Sequence, residues 1–256
     1  MANVNQEELR SKVKQMYKKV AEEPDGEFHF EMGRALAEQL GYPPLDLDEI
    51  PSEAIESFAG VGFYFDLADI KEGESVLDLG SGSGTDLFFA ARKAGNKGKV
   101  IGMDMTDEQL KKASELRDSY GFDTVSFHKG YIEDLPSDDE SVDVVISNGV
   151  INLCADKEKV FKEIGRVLKP GGRMAISDIV TEKKLTEDIK CDATLWAACI
   201  GGAMQQDSYK QAIESGGMKI VKIRENPQYS FMTESAQWAT GEFGVKSVTV
   251  LAEKLN

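Results

Sequence analysis

The rhythm of apolar and polar positions changes at about Ser75. Before it, Leu9, Val13, Met16, Tyr17 and Val20 fall on one stripe between Glu7 and Ala21, which predicts an amphipathic helix. A second helix is predicted from Glu27 to Leu40, stopped by Gly41 with Pro43 and Pro44 just beyond. Pro51 opens a third, Ser52 to Phe58, which leads into the aromatic stretch Ala59-Gly60-Val61-Gly62-Phe63-Tyr64-Phe65. From Ser75 short apolar runs alternate with amphipathic segments. The runs Ser75–Leu79, Lys99–Met103, Val125–Lys129, Val142–Ser147 and Arg173–Ile179 read as strands, and Thr85–Ala94, Asp107–Tyr120 and Lys157–Leu168 as helices. Such alternation means βαβ units with right-handed crossovers. Helical segments are expected at Leu185–Met204 and Ser208–Ser215, then two final strands at Lys219–Arg224 and Lys246–Ala252, the last antiparallel. The expected fold class is α/β: a Rossmann-like, doubly wound sheet of seven mostly parallel strands with an N-terminal helical segment. The expected division is a helical lid segment over residues 1–72 and the main domain over residues 73–256.

The densest chemical signal is Val76-Leu77-Asp78-Leu79-Gly80-Ser81-Gly82-Ser83-Gly84, a buried strand running into glycines and then a helix. Gly80, Gly82 and Gly84 permit a tight turn and let a ligand lie against bare backbone. Nicotinamide and flavin enzymes use such a turn too, and a plain strand–helix turn without a ligand is the other alternative. Three details favour S-adenosylmethionine over a dinucleotide. Asp78 precedes the first glycine, where a carboxylate can face an amino acid's ammonium group. The methyl donor has no pyrophosphate, so the helix N-terminus need hold no phosphate. Asp104, with Met105 beside it, ends the next strand, where a carboxylate can accept both ribose hydroxyls; NAD enzymes share that feature. In Gly130-Tyr131-Ile132-Glu133-Asp134-Leu135-Pro136, Ile132 suits an adenine face and Glu133 its exocyclic amine, a solvated loop carboxylate being the alternative for Glu133.

Composition narrows the partners. The chain's 256 residues, 41% of them hydrophobic, allow one sizeable core. A formal net charge of −15 disfavours nucleic acid and anionic lipid, which reward clustered Lys and Arg. Residues 1–17 carry no apolar run of the signal-peptide kind, and no stretch approaches the ~20 apolar residues that span a bilayer. A cytoplasmic protein with a small-molecule acceptor, and neither nucleic acid nor membrane as partner, is expected; the oligomeric state stays open. Cys154, Cys191 and Cys199 lack CxxC spacing and read as reduced thiols. With His29 and His128 the only histidines, no metal site is expected.

Taken together these segments resemble class I methyltransferases. Asp143-Val144-Val145-Ile146-Ser147-Asn148 looks like that family's fourth strand, and Arg166-Val167-Leu168-Lys169-Pro170-Gly171-Gly172 like the turn before its fifth. A narrower resemblance is to arsenite methyltransferases. It is carried by Val100 to Leu110 (VIGMDMTDEQL), Ser147 to Leu153 (SNGVINL), Ser177-Asp178-Ile179-Val180 and Cys199-Ile200-Gly201-Gly202-Ala203, with a similar texture in residues 13–17 and 36–50. The resemblance implies that Tyr17 folds back over the cofactor, unless it is simply a core aromatic, and that Asn148 and Asn152 border the reaction centre. Asn148 is also a candidate donor contact.

Arsenite methylation needs soft thiolates converging on a trivalent arsenical. Of the family's three cysteine positions, Cys199 alone has a counterpart; Gly149 stands in the Ser-Asn-Cys turn, and Val61 or a neighbour in the earlier loop. Cys191 precedes Cys199 by roughly 12 Å of rise if both are helical, too far to share one arsenic atom. Cys154 lies closer to the expected site, or is a small buried hydrophobe. Asn148, Asn152 and Cys199 are therefore the candidate catalytic residues, and Trp196, Cys199 and Tyr64 the candidates for the acceptor side, Trp196 walling an apolar pocket with Leu195 and Met204. Residues 59–65 are expected to gate the cofactor, with Gly60 and Gly62 as the hinge. The expected activity is methyl transfer from S-adenosylmethionine to a small soft nucleophile: a thiol, arsenite or a methylated arsenical. A different small acceptor reacting at oxygen, nitrogen or carbon, a non-catalytic donor-binding module and a nicotinamide oxidoreductase are the alternatives.

Overall fold

The computed structural model describes residues 6–26, 28–191, 196 and 200–255. Five helices precede the sheet: α1 (Gln6–Glu22), α2 (Gly33–Leu40), α3 (Pro44–Leu47), α4 (Ser52–Glu56) and α5 (Phe65–Ala68). Then come β1 (Ser75–Leu79), α6 (Thr85–Ala94), β2 (Lys99–Asp104), α7 (Asp107–Tyr120), β3 (Val125–Lys129), β4 (Val142–Asn148), a 3-10 turn (Ile151–Leu153), α8 (Lys157–Val167) and β5 (Leu168–Thr181). The remainder is α9 (Glu187–Cys191), β6 (Met204–Gln205), α10 (Gln206–Ser215), β7 (Met218–Glu225), α11 (Glu234–Phe243) and β8 (Lys246–Lys254).

The strands lie in the order β3-β2-β1-β4-β5-β8-β7, parallel from β3 to β5, with β8 antiparallel to both β5 and β7. This is the expected Rossmann-like sheet of seven, joined by the two-residue β6 on β5. Val76, Leu77, Asp78 and Leu79 are all buried, as a central parallel strand covered on both faces requires. The chain winds outward from β1 through β2 to β3, then returns to lay β4 on the other side of β1. A crevice opens where the winding reverses, at the carboxyl ends of these strands, and ligands of open α/β sheets bind in such crevices.

The segment before β1 has no separate core. Leu36, Leu40, Tyr42, Leu47, Ile55 and Phe65 pack into one cluster with Phe88 and Phe89 of α6. Arg173 on β5 straps its far end, donating to both carboxylate oxygens of Glu74 (2.9 and 2.7 Å) and to the carbonyls of Ala68 and Asp69. No described helix is long and apolar enough to cross a membrane.

Several expectations need correction. The second helix begins at Gly33, and β5 already begins at Leu168. The helix expected over Leu185–Met204 does not run to its expected end: among the described residues Glu187–Cys191 and Trp196 are helical, Gly201 and Gly202 form a turn, and Met204 begins β6; Leu195 lies outside the described residues. A Cβ on Gly201 would collide with the Trp196 ring and one on Gly202 with the Asn152 carbonyl, so these glycines serve close approach rather than helix. Helix α11, which the apolar pattern did not reveal, is capped by the Thr233 hydroxyl accepting the Ala236 N–H.

Two stability tests follow from the packing. Gly165 of α8 lies so close to α10's C-terminal turn that a Cβ would fall inside the Gly216 carbonyl oxygen. Helix propensity alone would make Gly165→Ala stabilising; overpacking reverses the sign, and urea denaturation is expected to show a loss of about 2 kcal/mol or more. The second concerns Asp178 on β5, whose carboxylate accepts from the Tyr209 hydroxyl (2.7 Å) and from the Asn152 and Ile179 N–H groups. Burial pushes its pKa up to about 6, against those hydrogen bonds. Because the folded value is raised, the contribution is full below about pH 4 and is lost as pH climbs through 6. Denaturation across that range is expected to show the wild type losing stability relative to Asp178→Asn; a constant difference would contradict it.

Candidate active site

A cavity enclosing about 1130 Å³, its open mouth included, occupies the crevice at the carboxyl ends of β1, β2 and β4. That exceeds the roughly 300–1,000 Å³ usual for small-molecule pockets because the mouth is counted. Its floor is the turn after β1. Gly80 turns there at a φ of 70°, and a Cβ would run into Val150, whereas the same position on Gly82 faces more open space, with Gln109 as its nearest neighbour at 3.7 Å. Gln109 of α7 is a brace that the sequence pattern missed: its Oε1 accepts the Ser83 hydroxyl at 2.5 Å and its Nε2 donates to the Tyr17 carbonyl at 2.9 Å.

Helix α1 forms the roof. Leu9, Arg10, Val13 and Tyr17 face the cavity, and the Tyr17 ring stacks on Phe30 with centroids 6.4 Å apart. Exposed ion pairs hold the helix down, Lys14 to Asp107 at 3.4 Å and Lys18 to Glu108 at 2.6 Å. Exposed pairs of this kind contribute little each.

Four carboxylates line the walls. Asp78, only 2% exposed, has an Oδ2 with no hydrogen-bond partner among the described residues. Burial, with Asp86 and Asp104 nearby, holds its pKa well above the ordinary range. Asp86, in the first turn of α6, accepts from the Tyr42 hydroxyl (2.5 Å), the Tyr64 hydroxyl (2.7 Å) and Asn148 Nδ2 (3.0 Å). Burial raises its pKa and those three donors oppose the rise. Of this buried pair, Asp86 has three donors that favour its ionised form, whereas Oδ2 of Asp78 has no partner among the described residues. Asp104 accepts the Gly82 and Thr106 N–H groups at 3.0 and 2.8 Å, and burial raises its pKa against them. Glu133 lies beside Ile132 at the far end, where Arg10 of α1 donates to it at 3.1 Å while lying 4.4 Å from the centroid of the Tyr131 ring.

Of the residues singled out from sequence, Tyr17, Asp78, Gly80, Gly82, Asp104, Met105, Ile132, Glu133 and Asn148 meet on this one surface. Others do not. Gly84 sits behind the turn against Phe88. Tyr64 is fully buried, its hydroxyl spent on Asp86. Asn152 is buried under the wall, its N–H directed to Asp178. Trp196 does not line the cavity itself but packs in the apolar cluster that also holds Leu9, Val13 and Leu153 of its wall, its indole N–H donating to the Lys190 carbonyl. Cys199 lies outside the described residues. Cys154, by contrast, is on the cavity wall, and burial pushes its thiol pKa up.

The gate expected at residues 59–65 is not a hinged one. Asn148 grips the segment from both sides, accepting the Val61 N–H at 2.7 Å and donating to the Gly62 carbonyl at 3.0 Å. Ser247 donates to the Val61 carbonyl and Arg224 to that of Phe63. A Cβ on Gly60 would strike Asn148 and the Phe58 ring, and one on Gly62 would strike Ser177 and Asn226. Here glycine permits contact, not motion. The segment also meets the turn after β4: a Cβ on Gly149 would sit 3.1 Å from Val61 Cγ1. Of the positions where the resemblance puts cysteines, 149 thus neighbours the earlier loop, where the counterpart is Val61 or a residue beside it.

The residues present fit S-adenosylmethionine. Asp78 has a buried oxygen with no partner among the described residues, suited to an ammonium group, Asp104 lines the same cavity from the neighbouring strand, and Ile132 lies on its wall beside Glu133. Comparison with known proteins agrees. Residues 70–217 match the family described as methyltransferase domain. An arsenite methyltransferase of Halobacterium salinarum is 40% identical over 85% of this chain, and one of Aquipseudomonas alcaligenes 36% identical over 82%. The chain spans 56% and 62% of the length of those two relatives. The crystal structure of an arsenic(III) S-adenosylmethionine methyltransferase from Chlamydomonas reinhardtii superposes with a TM-score of 0.64 at 30% identity, covering 88% of this chain and 75% of that one. The chain belongs to the methyltransferase domain family, in its S-adenosylmethionine-dependent class I, and within that class it resembles the arsenite methyltransferases.

Proposed function

We propose that this protein transfers a methyl group from S-adenosylmethionine to a small soft nucleophile, a thiol or a trivalent arsenical. The observation that carries the donor half is Asp78: a buried carboxylate oxygen without a partner among the described residues, beside a glycine turn and one strand away from Asp104. A buried acceptor left unsatisfied costs about 1–3 kcal/mol, which a ligand ammonium would recover. Bound there, the donor supplies an electrophilic methyl on a sulfonium. The chain's own part is to hold and to exclude water. Asp78 takes the ammonium, Asp104 the ribose hydroxyls, Ile132 the adenine face and Glu133 its amine once Arg10 yields. Helix α1 is the lid of this arrangement, laying Leu9, Val13 and Tyr17 over the cavity. In-line displacement then needs the nucleophile within about 3–3.5 Å of the methyl carbon, aligned and dry. Asn148, fixed by its bonds to residues 61 and 62, borders that position.

The soft acceptor rests on the arsenite methyltransferase relatives and on an apolar wall of Leu9, Val13, Val150 and Leu153 beside the Cys154 thiol. A second reading, transfer to a different small acceptor, is favoured by Gly149 and Val61, which put methyl groups where thiolates would be needed to grip arsenite. Turnover to S-adenosylhomocysteine, measured over thiols, arsenite, methylated arsenicals and small oxygen and nitrogen nucleophiles, decides between them. Thiols or arsenicals are expected to react, and reaction with oxygen or nitrogen acceptors alone would overturn the first reading.

Asp104→Asn is expected to weaken binding of S-adenosylhomocysteine at least tenfold, about 1.4 kcal/mol or more, since a charged acceptor of two hydroxyls becomes a neutral one. Titration calorimetry reads this directly, and unchanged affinity would remove Asp104 from the ribose site.

A further inference from the structure

One dipeptide in the cavity wall is chemically labile. Asn148-Gly149 is the single Asn-Gly pair in the sequence, and it stands where β4 runs into its turn. Such a pair can modify itself. The Gly149 nitrogen attacks the Asn148 side-chain carbonyl carbon, and a five-membered imide closes as the amide leaves with that proton as ammonia. Water then opens the ring to aspartate or isoaspartate. Glycine favours the step because no Cβ obstructs the attack. The fold keeps both reacting groups occupied. Asn148 ends β4 in register with Ser177, and the Gly149 N–H donates to the Ser177 carbonyl at 2.8 Å. On the side chain, Oδ1 accepts the Val61 N–H at 2.7 Å. Nδ2 lies 3.0 Å from both the Gly62 carbonyl oxygen and Asp86 Oδ2, and 3.1 Å from the Tyr42 hydroxyl.

We propose that Asn148-Gly149 is a latent deamidation site, kept intact while residues 59–65 stay bonded to it and consumed when that segment lets go. To react, the side chain gives up its bonds to residues 61 and 62, and the Gly149 nitrogen its bond to β5. The rate therefore follows how often this part of the wall opens. Reclosure does not undo the change. An aspartate at 148 sets an oxygen that only accepts against the Gly62 carbonyl and the Asp86 carboxylate, where Nδ2 had donated. Isoaspartate adds a methylene to the main chain and breaks the register of β4 with Ser177. Groups stripped of their donors within a fold are costly, so the modified chain holds its wall less firmly. The resemblance to arsenite methyltransferases puts a cysteine at 149, whose side chain would hinder the attack; Gly149 is what makes this pair labile.

Peptide mapping by mass spectrometry reads the reaction as a gain of about 1 Da on the peptide that holds Asn148. The full chain is incubated at mildly alkaline pH with and without denaturing guanidinium chloride. The unfolded chain is expected to react about tenfold or more faster than the folded one. Equal rates would remove the protection, and no reaction in either state would remove the site. In guanidinium, Gly149→Ala should slow the gain at least about fivefold, since a Cβ now obstructs the attack; an unchanged rate would place the reaction elsewhere. Ser247→Ala, which releases the Val61 carbonyl, should speed the folded-state reaction at least about threefold. No acceleration there would take control of the rate away from residues 59–65. Asn148→Asp is expected to melt lower by about 5 °C or more, and an unaltered melt would mean that the modified wall recloses. Should Ser247→Ala fail to fold, the wild-type ratio and the Asn148→Asp melt still decide. These readouts need no ligand, so they stand or fall apart from the donor site.

Discussion

One carboxylate joins the parts of this molecule that have to agree for a site to exist. Asp86 gathers a hydroxyl from the loop after α2, another from the belt before α5, and an amide from the tip of β4. Desolvating a carboxylate is costly unless donors replace the lost water. The fold accordingly must bring Tyr42, Tyr64 and Asn148 to one point whenever α6 is buried. That requirement fixes the N-terminal segment against the sheet and makes it wall rather than appendage.

From this follows the character of the crevice. The belt of residues 59–65 is bonded to Asn148, Ser247 and Arg224, so it is a rigid side of the cavity. Helix α1 is tied over the cavity by exposed ion pairs, by Arg10 on Glu133, by the Gln109 side chain on the Tyr17 carbonyl and by buried Leu9 and Val13.

The relation to the arsenite methyltransferases is close in the sheet and looser at the acceptor. Gly149 and Val61 touch each other in the turn after β4 and the belt. The nearest thiol among the described residues of the wall is Cys154, on the far side of that turn and held protonated by burial. Among the described residues the cavity wall therefore carries one thiol, beside an apolar surface of Leu9, Val13, Val150 and Leu153.

The sheet was legible from the chain because its signals are local. An apolar run, a glycine turn and an amphipathic helix lie next to one another in sequence, and β1, α6 and α7 have the bounds their residues indicate. That Asp78, Asp104 and Ile132 would line one cavity was legible for the same reason, the first two lying in their strands and the third three residues past its own. The pairings that give the site its charge and rigidity were not. Asp86 meets Asn148 across 62 positions, Arg10 meets Glu133 across 123, and Tyr64, with the look of a gate residue, turns inward to a carboxylate. Such contacts are made by crossovers and packing between distant segments, which impose no period on the chain. Sequence alone therefore determined the strands, the donor turn and the family. Tertiary structure decided which carboxylates are unpaired, which glycines permit contact rather than motion, and which aromatics wall the site, because burial and long-range hydrogen bonding exist only once the segments have met.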